Sequence, residues 1–184
     1  MRVISGSLKG RRLIAPAGMA TRPTADRIKE SMFNILAGGF EAKRVLDLFA
    51  GSGSLGIEAL SRGAASAVFV DRSKMALSAL RRNIEALGLA HQSRIFQWDI
   101  SKHLNGLQAA PRPFDLVFMD PPYETGAITP TLNALVACRA LRSGTRIVIE
   151  HSRREAIVYP DDAMTLMDQR RFGKTLVSFL DAML

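Results

Sequence analysis

The chain has 184 residues, of which 47% are hydrophobic, and this composition fits one globular domain with a sizeable core and excludes long disorder. No apolar run approaches the roughly 18 residues of a membrane span, the first residues lack the apolar core of a secretory signal, and a single cysteine, Cys138, excludes an intrachain disulfide framework and a cysteine-rich zinc site. The net charge of +8 is unevenly spread and excludes a uniformly neutral surface.

The N-terminal segment carries most of the positive charge. Residues 1–44 hold nine Lys/Arg against three Asp/Glu, whereas residues 45–138 hold eight of each. Residues 2–5 and 11–15 are predicted to be two short strands joined by a turn, and residues 22–36 an amphipathic helix. We therefore predict a basic extension over residues 1–40 that binds a polyanion; a basic surface kept for solubility is the alternative.

Short apolar strands and amphipathic helices alternate over the rest of the chain. Strands are predicted at 44–50, 67–70, 94–98, 114–120 and 146–151, and helices at 55–62, 74–87 and 130–141. This alternation predicts an α/β fold with a mainly parallel, Rossmann-like sheet and helices on both faces. Two last extended stretches predict an antiparallel hairpin at one edge of the sheet. Residues 41–184 are thus predicted to form one domain of a soluble, cytoplasmic, monomeric protein.

A glycine-rich motif follows the first of these strands. Gly51, Gly53 and Gly56 satisfy G-x-G-x-x-G between a strand and a helix, which lets a ligand approach the backbone without identifying that ligand. Asp47 lies four residues before Gly51, where a carboxylate disfavours a pyrophosphate and favours a cationic ligand. S-adenosylmethionine carries a sulfonium and an amino group and no phosphate, so it fits this charge. An Asp47 that only braces the loop by hydrogen bonds is the alternative.

Two further acidic residues follow the next strands. Asp71 comes 20 residues after Gly51, at the position where a carboxylate binds both ribose hydroxyls, in NAD and S-adenosylmethionine alike. Asp99 is predicted to accept a hydrogen bond from the adenine amino group, with Ile100 contacting the ring. A turn or helix-cap role for Asp99 is the alternative.

The sequence FDLVFMDPPYE contains the sharpest chemical signal. The strand ends at Asp120, and Pro121 and Pro122 then force a turn at the carboxyl edge of the sheet, where α/β proteins bind ligands. An exocyclic base amine is a weak nucleophile, because its lone pair is delocalised into the ring. The Asp120 carboxylate and the Pro121 carbonyl can each accept one amine hydrogen, which orients the nitrogen toward a methyl donor, while Tyr123 stacks on the base. This chemistry needs no metal. An ordinary rigid strand-exit turn is the alternative.

These motifs in this order resemble class I S-adenosylmethionine-dependent methyltransferases. The N-terminal RVISGSLKGRRL and RPTADRIKESMFNIL and the C-terminal RRFGKTLVSFL are similar to the RsmD family, which methylates guanine N2 in 16S ribosomal RNA. The resemblance implies a cofactor site made of Asp47, Phe49, Gly51, Ser52, Gly53, Asp71, Arg72, Asp99, Ile100, Arg22 and Thr24. It implies a catalytic segment of Asp120, Pro121, Pro122 and Tyr123, and RNA contacts from Lys9, Arg11, Arg12 and Arg27. The implied partner is 16S RNA within an assembling or assembled small ribosomal subunit.

Other functions remain compatible with parts of the sequence. The DPPY chemistry also serves a methyltransferase that acts on DNA adenine or on a protein side-chain amide. An NAD-dependent oxidoreductase explains the glycines but leaves Asp47 and Asp120 unexplained. An RNA-binding assembly factor without catalytic activity is the alternative outside enzymology, although Asp47, Gly53 and Asp120 would have no reason to be retained in it.

Overall fold

A computed structural model describes residues 1–16, 23–36, 39–100, 107 and 112–184. The chain divides into two compact units, Met1–Gln97 and Trp98–Leu184. Within the described residues, no helix is long and apolar enough to cross a membrane. The boundary expected between residues 40 and 41 stays a prediction.

The elements confirm an α/β fold built on a mixed, mostly parallel sheet. The helices are α1 (Pro23–Ile35), α2 (Ser54–Ser61), α3 (Lys74–Ala86) and α4 (Ile128–Ala137), with a short 3-10 helix at Ala90–Gln92. The strands are β1 (Arg44–Leu48), β2 (Ser66–Asp71), β3 (Ser93–Gln97), β4 (Leu116–Met119), β5 (Arg146–Ser152), β6 (Met164–Phe172) and β7 (Thr175–Ala182). The seven strands form one sheet.

The first unit is a parallel βαβαβ arrangement. β2 pairs with β1 on one side and with β3 on the other, both in parallel. β1 and β2 read as nearly continuous apolar runs because both are buried, whereas β3 is partly exposed. α3 buries Leu77, Leu80 and Ile84 at helical spacing, and the Ser73 hydroxyl caps it by accepting a hydrogen bond from the Ala76 amide.

The second unit ends in the antiparallel hairpin that the sequence predicts. β4 pairs with β5 in parallel, and β7 lies between β5 and β6, antiparallel to both. Every residue of β4 is buried, whereas β6 is mostly exposed. Because β4 and β5 run in the same direction, the loops that follow them leave from the same edge of this unit.

Two predicted elements differ from the structure. α4 ends at Ala137 instead of continuing to Leu141, because Arg139 adopts a φ of 53° and a left-handed residue ends a helix. The N-terminal strands reduce to a single antiparallel bridge between Arg2 and Arg12. A ladder does not extend from this bridge because the amides of Ile4 and Ser5 donate to a side chain of α2 instead of to a facing strand.

Candidate functional site

The glycine loop connects β1 to α2, and at two of its three glycine positions there is no room for a side chain. Gly53 has a φ of 82°, and a Cβ there would lie 2.3 Å from Leu80 Cδ1. A Cβ on Gly56 would lie 2.3 Å from the Phe69 ring. By contrast, a Cβ on Gly51 would come no closer than 4.0 Å to its nearest neighbour. Gly53 and Gly56 therefore allow close packing of α2, whereas Gly51 leaves open space beside the backbone.

Asp47 lies at the base of this loop with only 2% of its surface exposed. Its Oδ2 accepts a hydrogen bond from the Gly56 amide at 2.9 Å. Burial raises the pKa of Asp47 to about 8, which the Gly56 hydrogen bond opposes and the Asp71 carboxylate reinforces. The Asp47 side chain thus braces the loop, and a cation bound beside it would stabilise its ionised form. Bracing the loop and binding a cationic ligand are therefore compatible roles for Asp47.

Asp71 connects the end of β2 to the glycine loop. Its Oδ2 accepts from the Gly51 amide and its Oδ1 from the Ser73 amide, both at 2.8 Å. An ionised carboxylate has about four acceptor positions, so two remain for ligand hydroxyls after these bonds. Asp71 is therefore held in place by the same loop whose ligand it is expected to bind.

The N-terminal segment is fastened to the glycine loop by Asn83 of α3. The Asn83 side chain accepts from the Ile14 amide at 2.8 Å and donates to the Ile14 carbonyl at 3.0 Å. The same amide nitrogen donates to the Ser52 carbonyl at 3.0 Å. Ser52 itself is buried, and its hydroxyl lies 3.3 Å from the Met1 sulfur. One side chain therefore links the segment after the N-terminal turn to a residue of the expected cofactor site.

Glu58 of α2 is a second anchor for the N-terminal segment. It is fully buried and accepts hydrogen bonds from the Ile4 and Ser5 amides at 2.7 and 2.9 Å. Arg62 and Lys29 form ion pairs with it at 2.9 and 3.5 Å. Burial lowers the pKa of Lys29, which the Glu58 charge opposes. Removing one member of such a buried charge cluster costs free energy of folding, because it leaves the other charges unpaired. The cluster therefore fixes where the N-terminal segment lies on α2.

The remaining residues expected at the cofactor site are less uniformly placed. Phe49 has a φ of 60°, which turns the chain into the glycine loop. Arg72 is exposed, Asp99 is half-buried two residues after β3, and Ile100 is buried. Thr24 lies in the first turn of α1, and Arg22 lies outside the described residues. None of these placements tests the cofactor contacts, which stay predictions.

The DPPY segment leaves β4 at the carboxyl edge of the second unit. Pro121 is buried and Asp120 is exposed. The Tyr123 hydroxyl lies 3.0 Å from both Glu150 Oε1 and Thr175 Oγ1. Burial of this hydroxyl, with a further contribution from the Glu150 charge, raises the pKa of Tyr123 to about 12, although Tyr123 as a whole is 45% exposed. The hydroxyl is thus neutral and anchored while ring surface stays accessible, as a stacking platform requires.

The residues after Tyr123 are held by a carboxylate from the loop after β5. Glu155 Oε2 accepts from the Glu124 amide at 3.0 Å, and Glu155 Oε1 accepts from the Gly126 amide at 3.1 Å. Glu124 has a φ of 58°, and its carboxylate accepts from the Ser152 hydroxyl at 3.0 Å. A non-glycine residue in this left-handed conformation is strained, so the surrounding bonds must hold it.

His151 in turn fixes the loop that carries Glu155. Its Nδ1 lies 3.0 Å from the Ser152 carbonyl and 3.2 Å from the Glu155 carbonyl, so Nδ1 carries the proton and donates. Its Nε2 accepts from the Ser178 hydroxyl at 2.9 Å. Burial lowers the pKa of His151. This buried histidine therefore holds the loop after β5 in place through its hydrogen bonds.

The predicted RNA-binding side chains of the N-terminal segment are exposed. Lys9, Arg11, Arg12 and Arg27 all lie at the surface. The Arg11 guanidinium also donates to the Ala86 carbonyl at 3.1 Å, which ties the turn to the end of α3. Their exposure suits phosphate contacts but does not test them. Among the described residues, no group of three or more His, Cys, Asp or Glu is arranged to hold a metal ion.

The contacts that the sequence analysis missed all join residues far apart in the chain. Glu58 and Ile4 are 54 positions apart, and Asn83 and Ile14 are 69 apart. Glu155 lies 31 positions from Glu124. A Glu in the middle of the apolar helix α2 was a signal, because a charge in such a place needs a buried partner. No comparable signal marks Glu155.

The glycine loop, the acidic residues at the carboxyl ends of β1 and β2 and the inserted strand β7 define a class I methyltransferase fold. Consistent with this, the Escherichia coli protein yhhF superposes with a TM-score of 0.84 at 30% identity, over 100% of this chain and 98% of that one. The chain belongs to the RsmD family: the sequence model of the family described as "Conserved hypothetical protein 95" matches residues 1–181.

Relatives align with nearly the whole chain. YlbH of Bacillus subtilis is 39% identical over 97% of this chain and 97% of its own length. The Haemophilus influenzae protein named "Ribosomal RNA small subunit methyltransferase D" is 32% identical over 94% of this chain and 89% of its own length. The family and fold expected from the sequence are therefore confirmed.

Proposed function

We propose that this protein transfers a methyl group from S-adenosylmethionine to the exocyclic N2 amine of a guanine in 16S ribosomal RNA. The observation that carries the proposal is the DPPY segment, which combines an exposed carboxylate, a rigid turn and an accessible, anchored tyrosine at the carboxyl edge of a class I methyltransferase sheet. The names of the family members add the class of substrate.

The first unit supplies a site whose charge fits S-adenosylmethionine. Asp47 is a buried carboxyl with a raised pKa, and Asp71 is an oriented carboxylate with acceptor capacity left over. A cation beside Asp47 would favour its ionised form, whereas a phosphate would oppose it. The open space beside Gly51 admits a ligand close to the backbone. When bound, the cofactor supplies an electrophilic methyl group on a sulfonium.

The second unit supplies the groups that orient the amine. Asp120 follows the buried strand β4, so its position is set by the rigid sheet and by Pro121. Its carboxylate and the Pro121 carbonyl accept the two amine hydrogens, which directs the nitrogen lone pair and stabilises positive charge that develops on nitrogen. Tyr123 stacks on the base after the nucleotide has left its helix, a contact of about 1–3 kcal/mol.

Ribosomal RNA is the favoured substrate for two reasons. Two relatives that align with 94% and 86% of this chain are named small-subunit ribosomal RNA methyltransferases. The basic residues of the N-terminal turn are exposed and are anchored through Glu58 and Asn83 to the unit that holds the expected cofactor site. Such a substrate places the enzyme in the cytoplasm, on free RNA or on a small-subunit particle, with no metal required.

The test is methyl transfer from labelled S-adenosylmethionine to small ribosomal subunits and to naked 16S RNA that lack the modification. DNA and protein fractions serve as competing acceptors. Label recovered as N2-methylguanosine supports the reaction and the substrate class together. Label in DNA or protein would overturn the substrate, and tight cofactor binding without any transfer would favour the inactive assembly factor.

A further inference from the structure

A second group of basic side chains lies at the carboxyl edge of the second unit. We name it the basic rim and define it as Arg153, Arg154, Arg170, Arg171 and Lys174. The rim joins the loop after β5 to the turn between β6 and β7, and a hydrogen bond of 3.0 Å from the Arg153 amide to the Lys174 carbonyl connects the two. Because β7 runs antiparallel to β5 and β5 parallel to β4, this turn lies at the edge from which the DPPY segment leaves.

The rim is strongly positive and exposed. All five of its side chains are exposed. Two carboxylates occur in the same two stretches of chain: Asp168 pairs with Arg170 at 2.9 Å, and Glu155 accepts two backbone amide hydrogens of the DPPY loop. An exposed ion pair such as Arg170–Asp168 contributes little and can exchange for a phosphate contact. Within residues 153–155 and 168–174, five cations against two acids leave a net charge of +3.

The rim is directly connected to the proposed base-stacking residue. Lys174 precedes Thr175, whose hydroxyl lies 3.0 Å from the Tyr123 hydroxyl. Val177 pairs with Glu150 on one side and with Arg170 on the other, so the side chains of Glu150 and Arg170 leave the same face of the sheet. Glu150 is the other partner of the Tyr123 hydroxyl. Arg170 therefore shares a face of the sheet with the partner of Tyr123, and the rim as a whole shares the edge from which the DPPY segment leaves.

We propose that the basic rim binds the RNA phosphates that flank the target nucleotide. This inference rests on the proposed methyl transfer to RNA. A guanine that stacks on Tyr123 has left its helix, and its sugar and phosphates must follow it to the protein surface. The exposed cations beside Tyr123 lie where those phosphates arrive, and they offset the repulsion that the nearby acidic residues would otherwise exert. The rim thus positions the displaced strand.

The test compares two double variants that remove equal charge from one unit. Arg170→Gln with Lys174→Gln removes two rim charges, one of them in an exposed pair with Asp168. The matched control is Arg139→Gln with Arg142→Gln, which removes two exposed charges near the amino edge, one of them paired with Asp115. A charge-conserving variant, Arg170→Lys with Lys174→Arg, completes the set. Each is measured for cofactor affinity, binding to naked 16S RNA, and the salt dependence of kcat/KM with RNA.

The rim variant is expected to raise the KM for RNA by about fivefold or more and to reduce the slope of log(kcat/KM) against log[salt] by about one to two. Cofactor affinity should match that of the wild type, and the charge-conserving variant should restore the slope. Equal slopes in the rim variant and the amino-edge control would overturn the inference. If the wild type methylates no RNA, the proposed function fails; the RNA-binding slopes of the same variants then decide separately whether the rim binds phosphates.

Discussion

The glycine loop and the DPPY loop follow strands of the same sheet but are held in opposite ways. The glycine loop is braced from within by the carboxylates of Asp47 and Asp71, and Gly53 packs against the buried Leu80. The DPPY loop is exposed and is held from outside by Glu155 and Glu150. The first loop is shaped by packing, and at Gly53 and Gly56 it leaves no room for a Cβ atom. The second loop is held by exposed hydrogen bonds that can be exchanged for contacts with a ligand, which suits a loop that must accept a large substrate.

The largest effect on activity is expected from substitution of Asp120 in the DPPY loop. Asp120→Ala should reduce methyl transfer by roughly 10²- to 10³-fold, because one of the two acceptors that orient the amine is lost. Cofactor affinity, measured by calorimetry, should be preserved because Asp47 and Asp71 are untouched. Loss of both transfer and cofactor binding would mean that Asp120 chiefly supports the cofactor site, and the contrast between the two loops would fail.

The packing of the glycine loop can be tested with two glycines that share a left-handed backbone. Gly53 and Gly88 have φ values of 82° and 70°, but a Cβ meets Leu80 Cδ1 at 2.3 Å only at Gly53, with nothing within 4 Å at Gly88. Gly53→Ala should lower the free energy of unfolding by about 2–4 kcal/mol, and Gly88→Ala by about 1–2 kcal/mol. Urea unfolding of both variants measures the difference; equal losses would show that backbone strain alone matters.

The buried carboxyl of Asp47 predicts a pH dependence of cofactor binding to the glycine loop. The pKa of Asp47 is about 8, so near pH 6 the free protein holds Asp47 protonated, and binding a cation must release that proton. Cofactor affinity should therefore rise between about pH 5.5 and 7.5, below the titration of the ligand's own amino group. Calorimetry in buffers of different ionisation enthalpy measures the released proton.

The same pKa sets the sign for stability. Because the folded pKa exceeds the unfolded value, the folded protein binds more protons between about pH 4 and 8, and Asp47 makes the free energy of unfolding fall as pH rises through this window. Asp47→Asn should remove this contribution together with the pH-dependent part of cofactor affinity. A variant that keeps the wild-type pH dependence of affinity would assign the proton to another group.

The smallest effect is expected from the outer support of the DPPY loop. Glu155→Gln replaces one acceptor oxygen with a donor, so one of the amides of Glu124 and Gly126 loses its partner. We expect a loss of about 1 kcal/mol in stability and a fall in kcat of about threefold to tenfold, with unchanged cofactor affinity. Glu41→Gln, the same change at an exposed position, is the control. Equal kcat in both variants would remove Glu155 from the support of the loop.

The sequence predicts the sheet well and its supporting contacts poorly. Strands such as β4 are nearly continuous apolar runs, and local hydrophobic pattern suffices to find them. The early end of α4 depends on a left-handed Arg139, a residue type without a strong preference for that conformation. The bracing by Glu155 and Asn83 joins residues distant in the chain, and only the folded topology brings such partners together.

The candidate site shows the same division. Asp47, Asp71 and Asp120 follow from motif spacing, because each lies at or just after the carboxyl end of a predicted strand, where ligand-binding residues of α/β proteins occur. That both acids of the glycine loop also hold its backbone is not readable from spacing, since it depends on which amides the turn points inward. The cofactor and RNA contacts of Phe49, Ser52, Arg72, Ile100 and the N-terminal cations stay predictions.

β6 has a further consequence for the protein before it meets RNA. It is an edge strand of the sheet and is mostly exposed, and the apolar side chains of Leu166 and Met167 lie at its surface. An edge strand of this kind invites another chain to add a strand and begin aggregation. A β-bulge between Leu166 and Asp168 and the adjacent Arg170 and Arg171 oppose such pairing. The arginines that we propose bind RNA phosphates would thus also keep molecules without bound RNA apart, so selection for solubility and for substrate binding would act on the same side chains.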